Sequence, residues 1–304
     1  MPRVFSLCMM AALTCSCGEA SRDTAPANPP APDSAVQVPA STATASVMVA
    51  GPPRRNRFLQ LAVTGAGFDP AGPAPPPGLR HYTVGLRGIS RSRNDVALEI
   101  KPFVFAQNER GCISRPESGA SWLTHPLGDT AVFTAAHPTE GQLAFLMPED
   151  TQRVRVLVAP ASEDGFAVPA GEDFTPSWPA PLHTIEDGST LRVLVLPRPA
   201  RPAALPPPAA GREQVVLDFV IENLKTTQGI EFQTSQQLRL ATASGAFVQP
   251  AASTTLLGCR LDDGDVIPPG HARRLMVVYD MSPGVPLRLQ YRGFEQDEVS
   301  VELE

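Results

Sequence analysis

The chain has 304 residues, a formal net charge of −6, 18% charged residues and 34 prolines. Length alone allows about two domains, and so much proline with so little charge makes a good part of the chain spacer rather than core. An acidic balance offers no basic field, so neither nucleic acid nor an anionic lipid surface is an expected partner. Lysine is confined to Lys101 and Lys225 while arginine, alanine and proline abound. That bias reflects GC-rich coding rather than chemistry.

Met1-Pro2-Arg3 supplies a positive start, Val4 to Leu13 is almost wholly apolar, and the run stops at Thr14-Cys15-Ser16-Cys17-Gly18. This is the order of a secretory signal peptide. Its apolar run falls far short of the ~20 residues that a bilayer-spanning helix needs. A cysteine stands where an ordinary signal carries Ala-x-Ala. Leu13, the small residues after it and Cys17 resemble the lipobox of bacterial lipoproteins. The resemblance implies a signal peptide over 1–16 and a mature chain that starts at an acylated (palmitate-type) Cys17. Cys15, with Leu13-Thr14 before it, is the alternative anchor. It further implies an exported chain, lipid-anchored to the cell envelope. The outer membrane is favoured if the host has one, because Gly18 (or Ser16) and not an aspartate follows the anchor.

Residues 17–56 are rich in Ser, Thr, Ala and Pro and lack the apolar content to fold. A disordered, partly polyproline tether is expected there. At ~3.1 Å per residue its stretched reach is on the order of 100 Å. Arg54-Arg55-Asn56-Arg57 reads as a solvated end of that tether.

From Phe58 the pattern changes to short alternating or apolar runs divided by Gly, Pro, Asn and Asp: 58–63, 82–89, 96–106, 142–147 and 153–159. Val154, Val156 and Val158 alternate with Arg155 and Leu157, the period of a strand with one buried face. The grammar returns at 213–223, 237–241, 273–281, 286–292 and 298–304. An all-β chain follows. The expected organisation is a first β-sandwich over 57–197 that ends on Leu191–Leu196, a Pro-rich linker over 198–213, and a second sandwich over 214–304. An acidic insertion near 160–189 interrupts the first. Long loops of this kind are functional or disordered, so Phe166, Phe174 and Trp178 are its candidate partner contacts.

The two bodies also look alike. Val132-Phe133-x-x-Ala136-His137 lines up with Val266-Ile267-x-x-Gly270-His271 at a shift of 134, and Phe145-x-Met147 with Tyr279-x-Met281. One residue out of step, Val154-Arg155-Val156 matches Leu287-Arg288-Leu289. Self-similarity at long period signals duplicated units. The run from Val216 to Asn223, then Ile267-Pro268-Pro269-Gly270, Leu275 to Asp280 and Leu287 to Tyr291, is similar to small bacterial immunoglobulin-like domains of unknown role. That likeness implies tandem sandwiches of two antiparallel sheets and carries no catalytic residues.

Candidate chemistry is sparse. Cys112 and Cys259 remain in the mature body, and an oxidising compartment lets them pair. Sequence leaves a disulfide and two buried thiols both open. A bridge would close a loop of roughly 147 residues, worth about 5 kcal/mol in loop entropy. Asp262-Asp263-Gly264-Asp265 is a weak calcium candidate, and an Asp-Gly hairpin turn explains it with less. His137 and His271 fall at equivalent places before a strand and read as turn residues. Gly65-Ala66-Gly67 precedes no helix and reads as a turn, not a nucleotide loop. No GxSxG, HExxH or CxxC is present, and no cofactor is expected. Sugar binding would need exposed aromatic platforms, for which Trp122 and Trp178 are the candidates. The function expected from sequence is therefore non-enzymatic: a binding or scaffolding module facing envelope proteins through loops and sheet edges. The alternative is an envelope hydrolase or metal-dependent enzyme with its site at 160–189 or 262–271.

Overall fold

The computed structural model describes residues 50–159, 165–242, 244–260, 265–285, 287–295 and 298–303. Cys15, Cys17, nearly all of the expected tether, and Asp262 and Asp263 lie outside them. In the first half the strands are β1 (Arg54–Arg55), β2 (Leu59–Phe68), β3 (Leu79–Ser90), β4 (Val96–Glu99), β5 (Val104–Asn108), β6 (Ile113–Ser114), β7 (Thr130–Phe133), β8 (Thr139–Pro148), β9 (Val154–Val158) and β10 (Phe166–Pro169). They form two four-stranded sheets, β1-β2-β3-β8 and β10-β9-β5-β6, with a small β4-β7 ladder. Alternation fills the space between the sheets. Leu59, Leu61 and Val63 of β2, Tyr82, Val84 and Leu86 of β3, and Val154, Val156 and Val158 of β9 share one core.

In the second half the strands are β11 (His183–Asp187), β12 (Leu191–Val195), β13 (Glu213–Asn223), β14 (Ile230–Phe232), β15 (Leu238–Thr242), β16 (Phe247–Val248), β17 (Asp265–Ile267), β18 (Ala272–Met281), β19 (Leu287–Tyr291) and β20 (Val299–Leu303). Their sheets, β11-β12-β13-β18 and β16-β15-β19-β20, and the β14-β17 ladder repeat the first half strand for strand. Leu79 and Glu213, Val96 and Ile230, Val104 and Leu238, and Ile113 and Phe247 open equivalent strands 134 apart. From β8 and β18 onward the shift is 133. One-turn helices, Ile100–Phe103 and Thr234–Gln237, fall at matching places and carry the chain from the small ladder into the second sheet. The run 96–106, expected as one strand, is broken there. The chain is all-β, with the strand order of immunoglobulin-type sandwiches in both halves.

The expected boundaries need correction. Leu191–Val195 is not the closing strand of the first sandwich. It pairs with β13 from Leu191↔Asn223 to Val195↔Phe219, inside the second. The first closes instead on β10, which pairs with β9. The stretch 198–213 is then a crossing between β12 and β13 and not a linker; its Leu205 packs on Val216, Leu257 and Val278. Proline-rich composition marks a segment that cannot donate to a ladder, which is as true of a long intradomain connection as of a linker. At the start, Arg54 and Arg55 already pair with Leu61 and Gln60, so the first sandwich begins before residue 57. Gly65 lies inside β2 at a bulge opposite Gly85, not in a turn, a common use of glycine in strands.

The core of the second sandwich takes in residues of the first. Phe105, Ile113, Leu157 and Ala159, from the outward side of the first sandwich's β5–β6–β9 sheet, pack into the core built by β12, β13, β15, β18 and β19. This is why all five residues of β9 are buried where a free sandwich would bury alternate ones. A fragment beginning at residue 198 lacks β11, β12 and that apolar cover. We expect it to be unfolded or aggregated by circular dichroism and thermal melting, with no cooperative transition. A cooperative melt from this fragment would contradict a second sandwich that starts at β11.

Candidate functional site

The densest polar chemistry lies where the two halves meet. Arg273 of β18 shares the parity of Leu275, Val277 and Tyr279 and points inward with them. Its side chain is fully buried, with the guanidinium 4.0 Å from the centroid of the Phe105 ring. Its acidic neighbour, Asp265, stands 3.5 Å away and is also held by Arg115 from the first half. The three guanidinium nitrogens have no hydrogen-bond partner. Burial lowers the Arg273 pKa to about 10, with Asp265 opposing the shift and Arg115 adding to it. It remains a cation at neutral pH.

Arg274, one residue on, faces the other way and forks onto Asp218, Nε to Oδ1 at 2.9 Å and Nη2 to Oδ2 at 2.5 Å. Burial pushes the Asp218 carboxyl above its usual range, and Arg274 pulls it back. Arg155 of β9 donates to Gln107 Oε1 at 2.9 and 2.7 Å and to the Phe174 carbonyl at 3.1 Å. Burial holds its pKa below the usual arginine value.

These groups close the free edge of β18. Gln107 Nε2 donates to the Ala272 carbonyl at 2.7 Å, Arg274 N to Gly111 O at 3.0 Å, and Met276 N to Cys259 O at 2.7 Å. Further along, Val278 N donates to Thr254 Oγ1 at 3.0 Å. Cys112 and Cys259, on the two segments that cover the edge, are joined as a disulfide with Cα atoms 4.4 Å apart. The bridge therefore pins one half to the other across 147 residues of sequence.

The residues singled out from sequence are largely spent within the fold. Phe174 is buried under the guanidinium groups of Arg153 and Arg155. Trp178 packs on Leu194, Leu196 and Val220 of the second half, and Phe166 packs against the first core. The 165–182 segment is a strap that glues the halves together, rather than a loop held out to a partner. Proline spacing along it (Pro169, Pro176, Pro179, Pro181) keeps it extended. Asp265 is buried on two arginines and is not open to a cation. Among the described residues no cluster of three or more His, Cys, Asp or Glu side chains could hold a metal ion. His137 stands two residues before β8 and His271 one before β18, so they are not in register with those strands, and they differ in setting. His137 is exposed, whereas the half-buried His271 ring places Nδ1 2.8 Å from the Pro269 carbonyl.

Neither candidate enzyme location assembles a catalytic set among the described residues. Outside both locations, the buried His81 is also held by its neighbours. Its Nδ1 lies 2.7 Å from Glu117 Oε2 and its Nε2 2.7 Å from the Pro73 carbonyl. Both ring nitrogens are taken, and none is left to activate a nucleophile. Trp122 packs edge-on against this ring, 5.1 Å between centroids. Beside it runs a cleft of about 410 Å3 beneath the 115–129 arch, with Ile100, Leu123 and Leu143 on its floor and Lys101 on its rim. A second, shallower cleft of about 440 Å3 lies at the far end of the second sandwich, beside Phe247, Asp280 and Arg212.

No protein-family model and no curated protein matches the chain. Among solved structures it is similar to the yjhA protein from Bacillus subtilis, at 14% identity over 41% of this chain and 98% of that one, with a TM-score of 0.31. It is also similar to an uncharacterized β-sandwich protein from Clostridium difficile 630, at 13% identity over 40% and 90% of the two chains, with a TM-score of 0.29. Scores this low carry no argument about function.

Two outcomes follow from the junction. Removing one partner of a buried ion pair costs about 3–5 kcal/mol when the other charge is left buried and uncompensated; loss of Asp265 leaves the fully buried Arg273 without its carboxylate, whereas loss of Arg273 leaves Asp265 still paired with Arg115. In urea unfolding, Asp265→Ala should therefore be the more damaging change and Arg273→Met the milder; the reverse order would contradict the placement of Arg273. The second outcome concerns pH. Burial first, and then Arg155 and Arg273, hold the His271 pKa below 6.5, against its hydrogen bond to Pro269 and the charge of Asp173. The unfolded chain takes up that proton more readily than the folded one. Stability is thus complete above about pH 6.5 and is lost as pH falls toward the folded value. Between pH 7.5 and 5.5 the urea midpoint should fall less in His271→Gln than in the parent chain. Equal falls would remove His271 from the account.

Proposed function

We propose that the protein is a cell-envelope lipoprotein. Acylated Cys17 anchors it, a Ser/Ala/Pro-rich tether holds it off the lipid surface, and the double sandwich is a non-enzymatic binding or scaffolding module. One observation carries most of the weight: the Cys112–Cys259 disulfide. Such bridges form and persist in oxidising compartments and are rare where glutathione keeps thiols reduced. The apolar leader that ends on Thr14-Cys15-Ser16-Cys17-Gly18 supports the same location from an independent stretch of sequence.

The binding role rests on the character of the described surface. Two of the buried side chains that could do acid–base work are tied into structural pairs, His81 with Glu117 and Asp218 with Arg274. What the sandwiches leave open are clefts and strand edges, which recruit partners by shape and hydrogen bonding. Envelope proteins or envelope polymers are the partners within reach of such a tether.

Metabolic labelling with a palmitate analogue should mark the parent chain and leave Cys17→Ala unmarked, with the variant released or retained as precursor. Label that survives Cys17→Ala and disappears with Cys15→Ala moves the anchor by two residues. A parent chain that takes up no label overturns the lipoprotein reading.

A further inference from the structure

A net charge of −6 predicts no attraction to an anionic surface, but the fold does not spread its charges evenly. Residues 50–99 carry seven arginines against three carboxylates. Four of those arginines come together at one end of the first sandwich. There the β1–β2, β3–β4 and β7–β8 turns meet: Arg91 N donates to Phe58 O at 2.7 Å and Ser90 N to Thr134 O at 3.0 Å. Arg55 ends β1 and Arg57 follows it in the first turn, Arg91 and Arg93 stand on the second, and all four are exposed. This is the opposite end of β3 from Leu79, which lines a cleft with Leu257 and Cys259 of the second half.

These turns hold the arginines out rather than neutralising them. In the second turn Ser90 Oγ donates to the Asn94 carbonyl at 2.8 Å and Ser92 Oγ to the same carbonyl at 2.6 Å, which fixes the loop from within. Asn56 closes the first turn by accepting from Phe58 N and Leu59 N at 2.9 and 2.8 Å. Arg91 donates to the Asn56 main-chain carbonyl, and Arg57 lies 4.5 Å from the Phe58 ring centroid. The Arg55 and Arg93 side chains meet no carboxylate among the described residues, and Asp95 is the one acidic residue in the three turns. Nearby, Arg54 and Arg87 are already paired with Asp173 and Glu140. The repeat supplies a contrast. At the matching end of the second sandwich, where Leu224 N donates to Thr190 O, the turns carry Asp187 and Lys225, and Lys225 is bound to Glu295. The basic end is therefore not a requirement of the fold. Like charges gathered without counter-charges repel one another and draw an external anion.

We propose that this end of the first sandwich docks on an anionic lipid surface, with Arg55, Arg91 and Arg93 against the headgroup phosphates. Each cation close to such a surface strengthens binding about fivefold, and the planar fork of arginine matches phosphate oxygens. Lipid is favoured over other polyanions because the anchor proposed above holds the body within reach of a membrane. A weak second contact gains from that effective concentration. Docking by this end leaves the cleft at the Leu79 end of β3 facing away from the lipid. The inference rests on the membrane-anchored reading for its partner, but its test needs no anchor.

The test uses the chain from Gly18 onward, which keeps every described residue and carries no acyl group. It is sedimented with vesicles of phosphatidylcholine, alone or mixed with phosphatidylglycerol. Saturable binding to the mixed vesicles alone is expected, weakening as ionic strength rises from about 0.05 to 0.3 M. Arg55→Gln and Arg93→Gln should each weaken it about fivefold, and the double variant about 25-fold. Arg198→Gln removes an exposed charge next to Pro199 of the far cleft and should leave binding nearly unchanged. Each variant is first checked for a parent-like circular dichroism melt; should one arginine variant fail, the other is read alone against Arg198→Gln. No binding to the mixed vesicles, or equal loss in Arg198→Gln, overturns the assignment. So does tighter binding to soluble polyphosphate than to vesicles at matched phosphate concentration. None of these results touches the lipid-labelling outcome, so the two readings fail separately.

Discussion

The structure turns on the seating of Phe105, Ile113 and Leu157, from the outward side of one sandwich, in the open core of the other. A single immunoglobulin-like sandwich of about 100 residues buries its apolar surface between two sheets and leaves both outer faces to water. In this chain one outer face is apolar, and its partner core is unfinished without it. The second half does not close on itself; it closes on the first. Everything specific to this chain, from the disulfide to the proline strap, serves that contact.

The polar groups at the contact have a different job from the apolar ones. Hydrophobic surface is non-directional and tolerates many seatings. Buried ions do not. Arg273 over Phe105, Asp265 between Arg115 and Arg273, and Arg155 against Gln107 and the Phe174 carbonyl each find their partners in only one relative placement of the halves. Any slip would strand a charge away from water, at a cost that the pairs themselves barely recover. The charges therefore specify the seating while the apolar residues stabilise it. Closing the β18 edge with Gly111, Cys259 and Thr254 serves a third need. An open strand edge is a template for unwanted pairing, and the chain covers its own.

Much of this is legible in sequence, and the failures have physical causes. The period-2 runs, the all-β class and the duplication near a shift of 134 are readable because strands and turns leave local marks. The domain boundary is not, because Leu191–Leu196 precedes a proline-rich stretch, and composition cannot distinguish a crossing inside a sandwich from a linker between two. Phe174 and Trp178 look like partner contacts because aromatic side chains in a proline-rich loop carry no mark of what they pack on. Arg273 escapes notice although its signal is present. It alternates in step with Leu275, Val277 and Tyr279, and that parity turns a charge inward. Its counterpart in the first half, Glu140, is exposed, so the repeat gives no warning. Exposure of Phe247 is equally hidden, since only the repeat's geometry shows that Ile113 is covered and Phe247 is not.

Calorimetry of the oxidised full chain tests the shared core most directly. A second core that is completed by residues of the first half should melt together with it, in a single transition whose calorimetric and van't Hoff enthalpies agree to a ratio of about one. Two resolved transitions, or one broad transition with a calorimetric enthalpy well above the van't Hoff value, would mean that each sandwich stands alone and that the junction is an ordinary interdomain contact.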